Sequence, residues 1–307
     1  MGSRSLHDEI SRNKRSSILL ASLLSVIIIA LIFSFSYIFA PEYLYVVIPL
    51  SLVFVVGYSY TSWLYGDQVV LSATGAVPAE GREHIYLRDT VEGLSLAAGV
   101  PTPKVYVVPS DEINAFATGR DPEHASVAVT RGLLNALDRQ ELEGVLAHEL
   151  SHIRNRDVTF MTLVAVLVGL AAILSHIILR TYRFGAVRGG RRGGRGRGDG
   201  DKRGVEIAIL AVGFFLAIFA PLLTRIVQFA VSRKREYLAD ASGVELTRYP
   251  EGLASALEKL KGHNKGNMDV SEAVSHLFIA DPNRSALDLL YATHPPLEER
   301  IKRLRAM

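Results

Sequence analysis

Apolar positions gather into four long uncharged runs separated by stretches of mixed charge, and the lengths of these runs predict most of the architecture. A helix crossing a bilayer needs about 20 apolar residues. The first run, 26 residues between Arg15 and Glu42, and the second, 24 between Glu42 and Asp67, reach that length and read as a helical hairpin turned at Pro41. The first apolar stretch is too long for a signal peptide and a second span follows at once, so it reads as a retained anchor. Tyr58, Tyr60, Trp63 and Tyr65 close the second run, where amphipathic rings favour the headgroup level.

Residues 67–157 have ordinary hydrophobicity and the punctuation of a soluble domain. Ile85, Val91, Leu94 and Ala98 recur at near-helical spacing, and 105–108 and 126–129 are short β-rich runs. Asp138 with Glu141 has the form of a capping box, and Leu142, Val145, Leu146, Leu150 and Ile153 then follow a helical stripe, predicting a helix over 139–155. Two further apolar runs follow, 22 residues between Asp157 and Arg180 and 18 between Glu206 and Arg225. The second of these contains Pro221, which kinks a helix. Between them, 185–204 is Gly/Arg-rich and too poor in apolar residues to pack, so it reads as a mobile loop. The last stretch is helix-patterned at 252–261 and 297–305. The expected organisation is an N-terminal transmembrane hairpin (1–66), a soluble part (67–157), a second apolar hairpin (158–231) and a second soluble part (232–307).

Composition narrows the chemistry. The 307 residues are 49% hydrophobic, with a mean hydropathy of +0.22, too apolar for a typical soluble enzyme. The absence of cysteine excludes disulfides, thiolate nucleophiles, iron–sulfur clusters and Cys-ligated zinc, leaving His, Asp and Glu as metal ligands. Net charge is +3, but nine of the 34 basic residues lie between Arg180 and Arg203, so no basic face for nucleic acid is expected.

On the predicted 139–155 helix stands His148-Glu149-Leu150-Ser151-His152. Two imidazoles at i and i+4 share one helical face and can hold one tetrahedral ion, with the intervening Glu toward its open side. Catalytic zinc takes three protein ligands and keeps a position for water, so a third ligand is required. Glu236 and Asp240, also at i and i+4, are the candidates: one to bind the ion, the other to orient an imidazole.

Four ordered segments carry a resemblance: Asn114-Ala115-Phe116-Ala117-Thr118-Gly119, the stretch from His148 to Asp157, the stretch from Ser232 to Asp240, and Thr293-His294-Pro295-Pro296. With these the chain resembles the HtpX-type family of membrane-bound zinc metalloproteases, related to the CaaX prenyl proteases, from the first apolar hairpin to the C-terminus. The resemblance implies one Zn2+ per chain held by His148, His152 and Glu236, Glu149 as general base and Asp240 behind the ligands. It also implies a cytoplasm-facing site on a multi-pass cell-membrane protein that acts in protein quality control. The long Gly/Arg-rich loop departs from the family pattern and bears on topology, not on the site.

The fold class expected is mainly α: integral membrane helices plus a zincin-like metalloprotease domain with a small β-sheet. Its chemistry is peptide hydrolysis, with zinc polarising the scissile carbonyl and Glu149 moving the proton of the attacking water to the leaving amine. The partners are polypeptide substrates and the lipid bilayer. The strand at 114–118 suits a sheet edge that pairs with an extended substrate, and His294 is a candidate donor to the oxyanion. A non-catalytic zinc-stabilised membrane scaffold and an intramembrane metalloprotease are the competing readings. Arg4, Arg12, Lys14 and Arg15 place the N-terminus and the soluble parts in the cytoplasm. The second hairpin is then expected to cross with its basic loop outside, against the same rule; the alternative is that it does not fully span and packs at the interface or against the catalytic domain.

Overall fold

The computed structural model describes residues 41–170, 173, 233–263, 268, 270–280, 282 and 295–307, with single positions between 15 and 37. The fourth apolar run, the stretch 185–204 and His294 lie outside the described residues, as does most of the first run.

The second apolar run is one helix. A 3-10 turn at Pro41–Tyr43 leads into α1 (Leu44–Ala73), which continues past Asp67 because a single charge interrupts hydropathy without breaking a helix. Thirty residues span about 45 Å, more than the ~30 Å hydrocarbon layer. Its two ends meet different surroundings: Leu50, Val53 and Val56 are exposed as lipid-facing side chains are, while Val70 and Leu71 are buried in the domain. Among the described residues, Pro41–Ala73 is the one helix long and apolar enough to cross a membrane, by length and composition.

The domain is a four-stranded sheet covered on both faces. The strands are β1 (Val77–Pro78), β2 (Lys104–Val108), β3 (Ala115–Gly119) and β4 (Ala125–Thr130), in the order β1-β2-β4-β3. β2 and β4 are parallel and the other pairs antiparallel, with Phe116 opposite Ala128 and Ala117 opposite Val127. Strand alternation sends Ala115, Ala117, Val127 and Val129 into one core and Phe116 and Ala128 into another. The first core contains α2 (Ile85–Ala98), α4 (Arg139–Arg154), α7 (Pro250–His263) and α9 (Leu297–Leu304), with α3 (Arg131–Ala136) at its margin. The second is closed by the last turns of α1, by the apolar helix α5 (Asp157–Leu170), and by residues around α8 (Glu272–Ser275). The first part of the third apolar run, as far as Leu170, is therefore a wall of this domain.

α4 lies so close to α7 that side chains would not fit between them. A Cβ on Gly144 would stand 2.6 Å from the Leu253 nitrogen, and one on Gly252 would stand 2.5 Å from the Gln140 oxygen.

Candidate metal centre

α4 begins as its sequence dictates. Asp138 accepts from the Glu141 N–H at 2.9 Å, and the Glu141 carboxylate accepts from the Asp138 N–H at 2.8 Å. The same carboxylate holds α7 through the Lys259 ammonium at 2.6 Å and the Ser255 hydroxyl at 2.7 Å. Leu142, Val145, Leu146, Leu150 and Ile153 fill the first core, and His148 and His152 emerge toward α6 (Arg233–Thr247). On α6, Glu236, Asp240 and Gly243 recur at i, i+4 and i+7, one face directed at α4. Gly243 permits the approach, because a Cβ there would stand 3.1 Å from the His148 nitrogen.

These helices bring His148, His152 and Glu236 into one buried cluster. The two Nε2 atoms are 3.3 Å apart, and the Glu236 oxygens lie 3.8 Å from His148 Nε2 and 3.6 Å from His152 Nε2. Both Nδ1–H groups donate elsewhere, His148 to Asp240 at 3.0 Å and His152 to Asp157 at 3.2 Å. With each Nδ1 engaged by a carboxylate, both Nε2 atoms point at one spot, where they can present lone pairs to a shared metal ion. With N–Zn bonds of about 2.0–2.1 Å, tetrahedral ligands sit roughly 3.3 Å apart, so the donor set fits a zinc-sized ion.

Arg300 of α9 completes the cluster. It is fully buried, donates through Nε and Nη2 to Asp240 at 2.9 and 2.7 Å, and approaches Glu236 Oε2 to 3.3 Å. Its Nη1 also donates to the Ile279 carbonyl at 3.2 Å.

The field of the cluster attracts positive charge. Burial opposes the charged form of Asp240, yet Arg300 and His148 pull its carboxyl down to about 2. Burial likewise opposes charge on His152, but the Asp157 hydrogen bond and the Glu236 carboxylate lift it to about 9. His148 moves down, chiefly by burial, with the nearby Arg300 adding to it. Glu149 is raised to about 7 by burial and by Glu236, against the His152 charge and a hydrogen bond from the Ala117 N–H.

β3 lies at the sheet edge, beside Glu149. Its outer side is partly met by this chain. The Ile279 N–H donates to the Ala115 carbonyl at 2.9 Å, Phe278 bridges Phe116, and the Asn114 amide exchanges two hydrogen bonds with the backbone of Ala280. The Thr118 hydroxyl pairs with that of Thr162 at 2.9 Å. His294 lies outside the described residues, although its neighbour Pro295 is buried and Pro296 precedes α9.

Sequence reasoning assigned no role to Asp157 or Arg300. A signal for Arg300 exists: it occupies the apolar stripe of Leu297, Ile301 and Leu304, where an arginine must find buried partners.

The model of peptidase family M48 matches residues 82–307. Among similar proteins, "Protease HtpX homolog" of Caldanaerobacter subterraneus subsp. tengcongensis is 43% identical, over 100% of this chain and 99% of its own length. The protein of the same name from Thermoanaerobacter pseudethanolicus is 42% identical over 100% of this chain and 99% of its own length. That from Dictyoglomus thermophilum is 41% identical over 98% of this chain and 94% of its own. Among solved structures, the crystal structure of S. mikatae Ste24p is similar in fold, with a TM-score of 0.50 and 21% identity, covering 97% of this chain; the chain spans 66% of that one. With the family model matching residues 82–307 and relatives 41–43% identical over 98–100% of the chain, the chain belongs to peptidase family M48, among its HtpX-type membrane-bound metalloproteases.

Proposed function

We propose that this metalloprotease uses one zinc ion, held by His148, His152 and Glu236, to hydrolyse misfolded or membrane-inserted polypeptides at the cytoplasmic face of a cell membrane. The observation that carries the reading is the pair of Nε2 atoms facing each other at 3.3 Å beside the Glu236 carboxylate. When bound, the ion supplies Lewis acidity, which polarises a carbonyl and lowers the pKa of a water toward ~7.

The remaining steps fall to side chains. Glu149, buried and held near neutrality, takes a proton from the attacking water and returns it to the leaving amine. A structural zinc site needs no such base, so Glu149 separates the protease from a scaffold. Asp240 fixes the His148 tautomer by accepting from Nδ1–H. An extended substrate meets β3 at Ala117, between the outward groups of Ala115 and Gly119 that bond to Ile279 and Thr162. His294 is the candidate oxyanion donor on sequence grounds.

Support for membrane-proximal substrates comes from Arg120, which follows β3 directly. Its guanidinium lies 5.3 Å from the ring centre of Trp63 and donates to the Leu64 carbonyl at 3.4 Å. Trp and Arg favour the headgroup level, so the substrate strand ends beside the membrane surface. Zinc content and casein cleavage by the detergent-solubilised full chain test the proposal: chelation abolishes cleavage and returned zinc restores it. Cleavage indifferent to chelator excludes a zinc mechanism.

A further inference from the structure

α5 starts at the metal cluster and ends against the membrane helix. Its first residue, Asp157, is completely buried and touches both helices that carry metal donors. One carboxylate oxygen accepts from His152 Nδ1 at 3.2 Å, and the other lies 4.0 Å from the Arg235 guanidinium, next to Glu236. Arg235 also sits over the ring of Phe160, 4.8 Å from its centre, and so ties α6 to the first turn of α5. Asp157 reaches His152 because the chain reverses sharply at Asn155-Arg156, where Arg156 takes a φ of 58°.

Further along, α5 is seated on α1. Gly66 of α1 faces Thr162 and Val166, where a Cβ would stand 3.0 and 3.4 Å from their methyl groups, and the Tyr58 hydroxyl donates to the Val166 carbonyl at 3.2 Å. α5 also fixes the substrate strand, with the Thr162 hydroxyl accepting from the Gly119 N–H at 3.1 Å and the Thr159 hydroxyl donating to the Arg120 carbonyl at 2.7 Å.

We propose that Asp157 is a positioning residue for His152, and that through it the seating of α5 on the membrane helix sets the geometry of the metal centre. This rests on the zinc-protease reading. The carboxylate fixes the ring's orientation and tautomer, so that Nε2 presents its lone pair beside His148 and Glu236. An axial or lateral shift of α5 moves the carboxylate with it, because Asp157 is part of that rigid helix. Anchoring in the membrane is thereby linked to metal affinity without any membrane residue touching the ion.

The test measures zinc affinity by chelator competition on the full-length chain in detergent, for the wild type, Asp157→Asn, Gly66→Val and the double variant, with Gly66→Ala as a milder step. Circular dichroism and thermal unfolding of the zinc-stripped forms establish folding. Asp157→Asn should weaken zinc by roughly 10–100-fold, as loss of a ligand-orienting carboxylate does. It should also change the visible spectrum of the cobalt-substituted protein, and Asp157→Glu should recover part of the affinity. Gly66→Val and, less strongly, Gly66→Ala should weaken zinc in the wild type. In the Asp157→Asn background they should add nothing, since the path is already cut. Wild-type affinity and cobalt spectrum in Asp157→Asn overturn the positioning role, and independent, multiplying effects overturn the link to α1. A wild type that binds no zinc sinks the zinc-protease reading instead.

Discussion

Arg300 and Asp240 are joined side-on by two parallel hydrogen bonds, Nε to Oδ2 at 2.9 Å and Nη2 to Oδ1 at 2.7 Å, and both side chains are buried. The same Oδ1 accepts from His148 Nδ1, so one carboxylate joins the C-terminal helix to the first imidazole. Removing one member of a buried pair leaves an uncompensated charge, at a cost of about 3–5 kcal/mol. Arg300→Ala is therefore expected to unfold at a markedly lower temperature, and Arg300→Lys to rescue it only in part, because an ammonium cannot reproduce the fork. Thermal unfolding and zinc content of both variants check this. The pair also sets an acid limit: Asp240 is held down from 3.8 to about 2, so its contribution is full above about 3.8 and is lost as pH falls toward 2. Asp240→Asn should flatten the stability profile over that window.

Glu149→Gln is expected to abolish proteolysis while leaving zinc content and folding intact. The amide keeps the shape of the side chain and cannot take a proton from water. Cleavage rate and metal analysis on one preparation decide it. Full activity removes Glu149 from the mechanism, and loss of zinc makes it a ligand.

Glu236→Ala and Asp240→Ala should separate by metal analysis. Glu236 presents its oxygens to both Nε2 atoms, 3.8 and 3.6 Å away, whereas Asp240 reaches the cluster only from behind His148. The first variant should lose zinc almost entirely; the second should weaken affinity or rate by roughly 10–100-fold. The opposite result reverses the two roles.

The site was legible where its residues lie close together on periodic elements. A capping box and one apolar stripe define α4, and i, i+4 spacing then orients His148 and His152. The same rule pairs Glu236 with Asp240, but which of them approaches the imidazoles depends on how α6 docks, and that docking uses Gly243, a residue with no signal of its own. Phe278-Ile279-Ala280 was illegible for a different reason. It meets Asn114 across 166 positions of sequence, through backbone groups that carry no pattern. Hydropathy also misplaced the break after α1: Asp67 ends an apolar run, yet the helix proceeds to Ala73 because its last turns exchange lipid for the sheet face.

Ala117→Pro probes the edge of β3. The Ala117 N–H is among the influences that lower the Glu149 pKa, and a proline deletes it. Hydrogen bonds to charged groups contribute about 1.5–3 kcal/mol, so turnover should fall roughly 10–100-fold with zinc content unchanged. Ala115→Pro should act on stability more than on rate, because the Ala115 N–H is bonded at 3.1 Å to the Asn114 side chain. Unchanged cleavage by a folded Ala117→Pro variant excludes both the edge contact and the restraint on Glu149.

The third apolar run is expected to cross the membrane, although charge counting opposes it. Arg4, Arg12, Lys14 and Arg15 favour a cytoplasmic N-terminus, and if the first run crosses as well as α1, residues 67–157 return to that side. Glu236 stands beside His148, so the chain between them must begin and end on one side, which puts the nine basic residues of 180–203 outside if both later runs cross. Geometry favours crossing. Gly66 faces Thr162, and Tyr58, nearer the lipid-exposed part of α1, bonds to Val166, so α5 ascends antiparallel to α1 toward the same apolar layer. At Trp63 and Arg120 the headgroup level has been reached, and the run stays uncharged from there to Leu179, although Gly169 still packs on Ala273 of the domain. The cysteine-free sequence allows a direct reading. Single cysteines at Ser16, Ser72, Gly194 and Ser271 are probed on intact cells with a membrane-impermeant thiol reagent. Labelling at Gly194 alone is the expected result. Protection of all four positions turns the loop inward, and labelling at Ser72 or Ser271 moves the active site out of the cytoplasm.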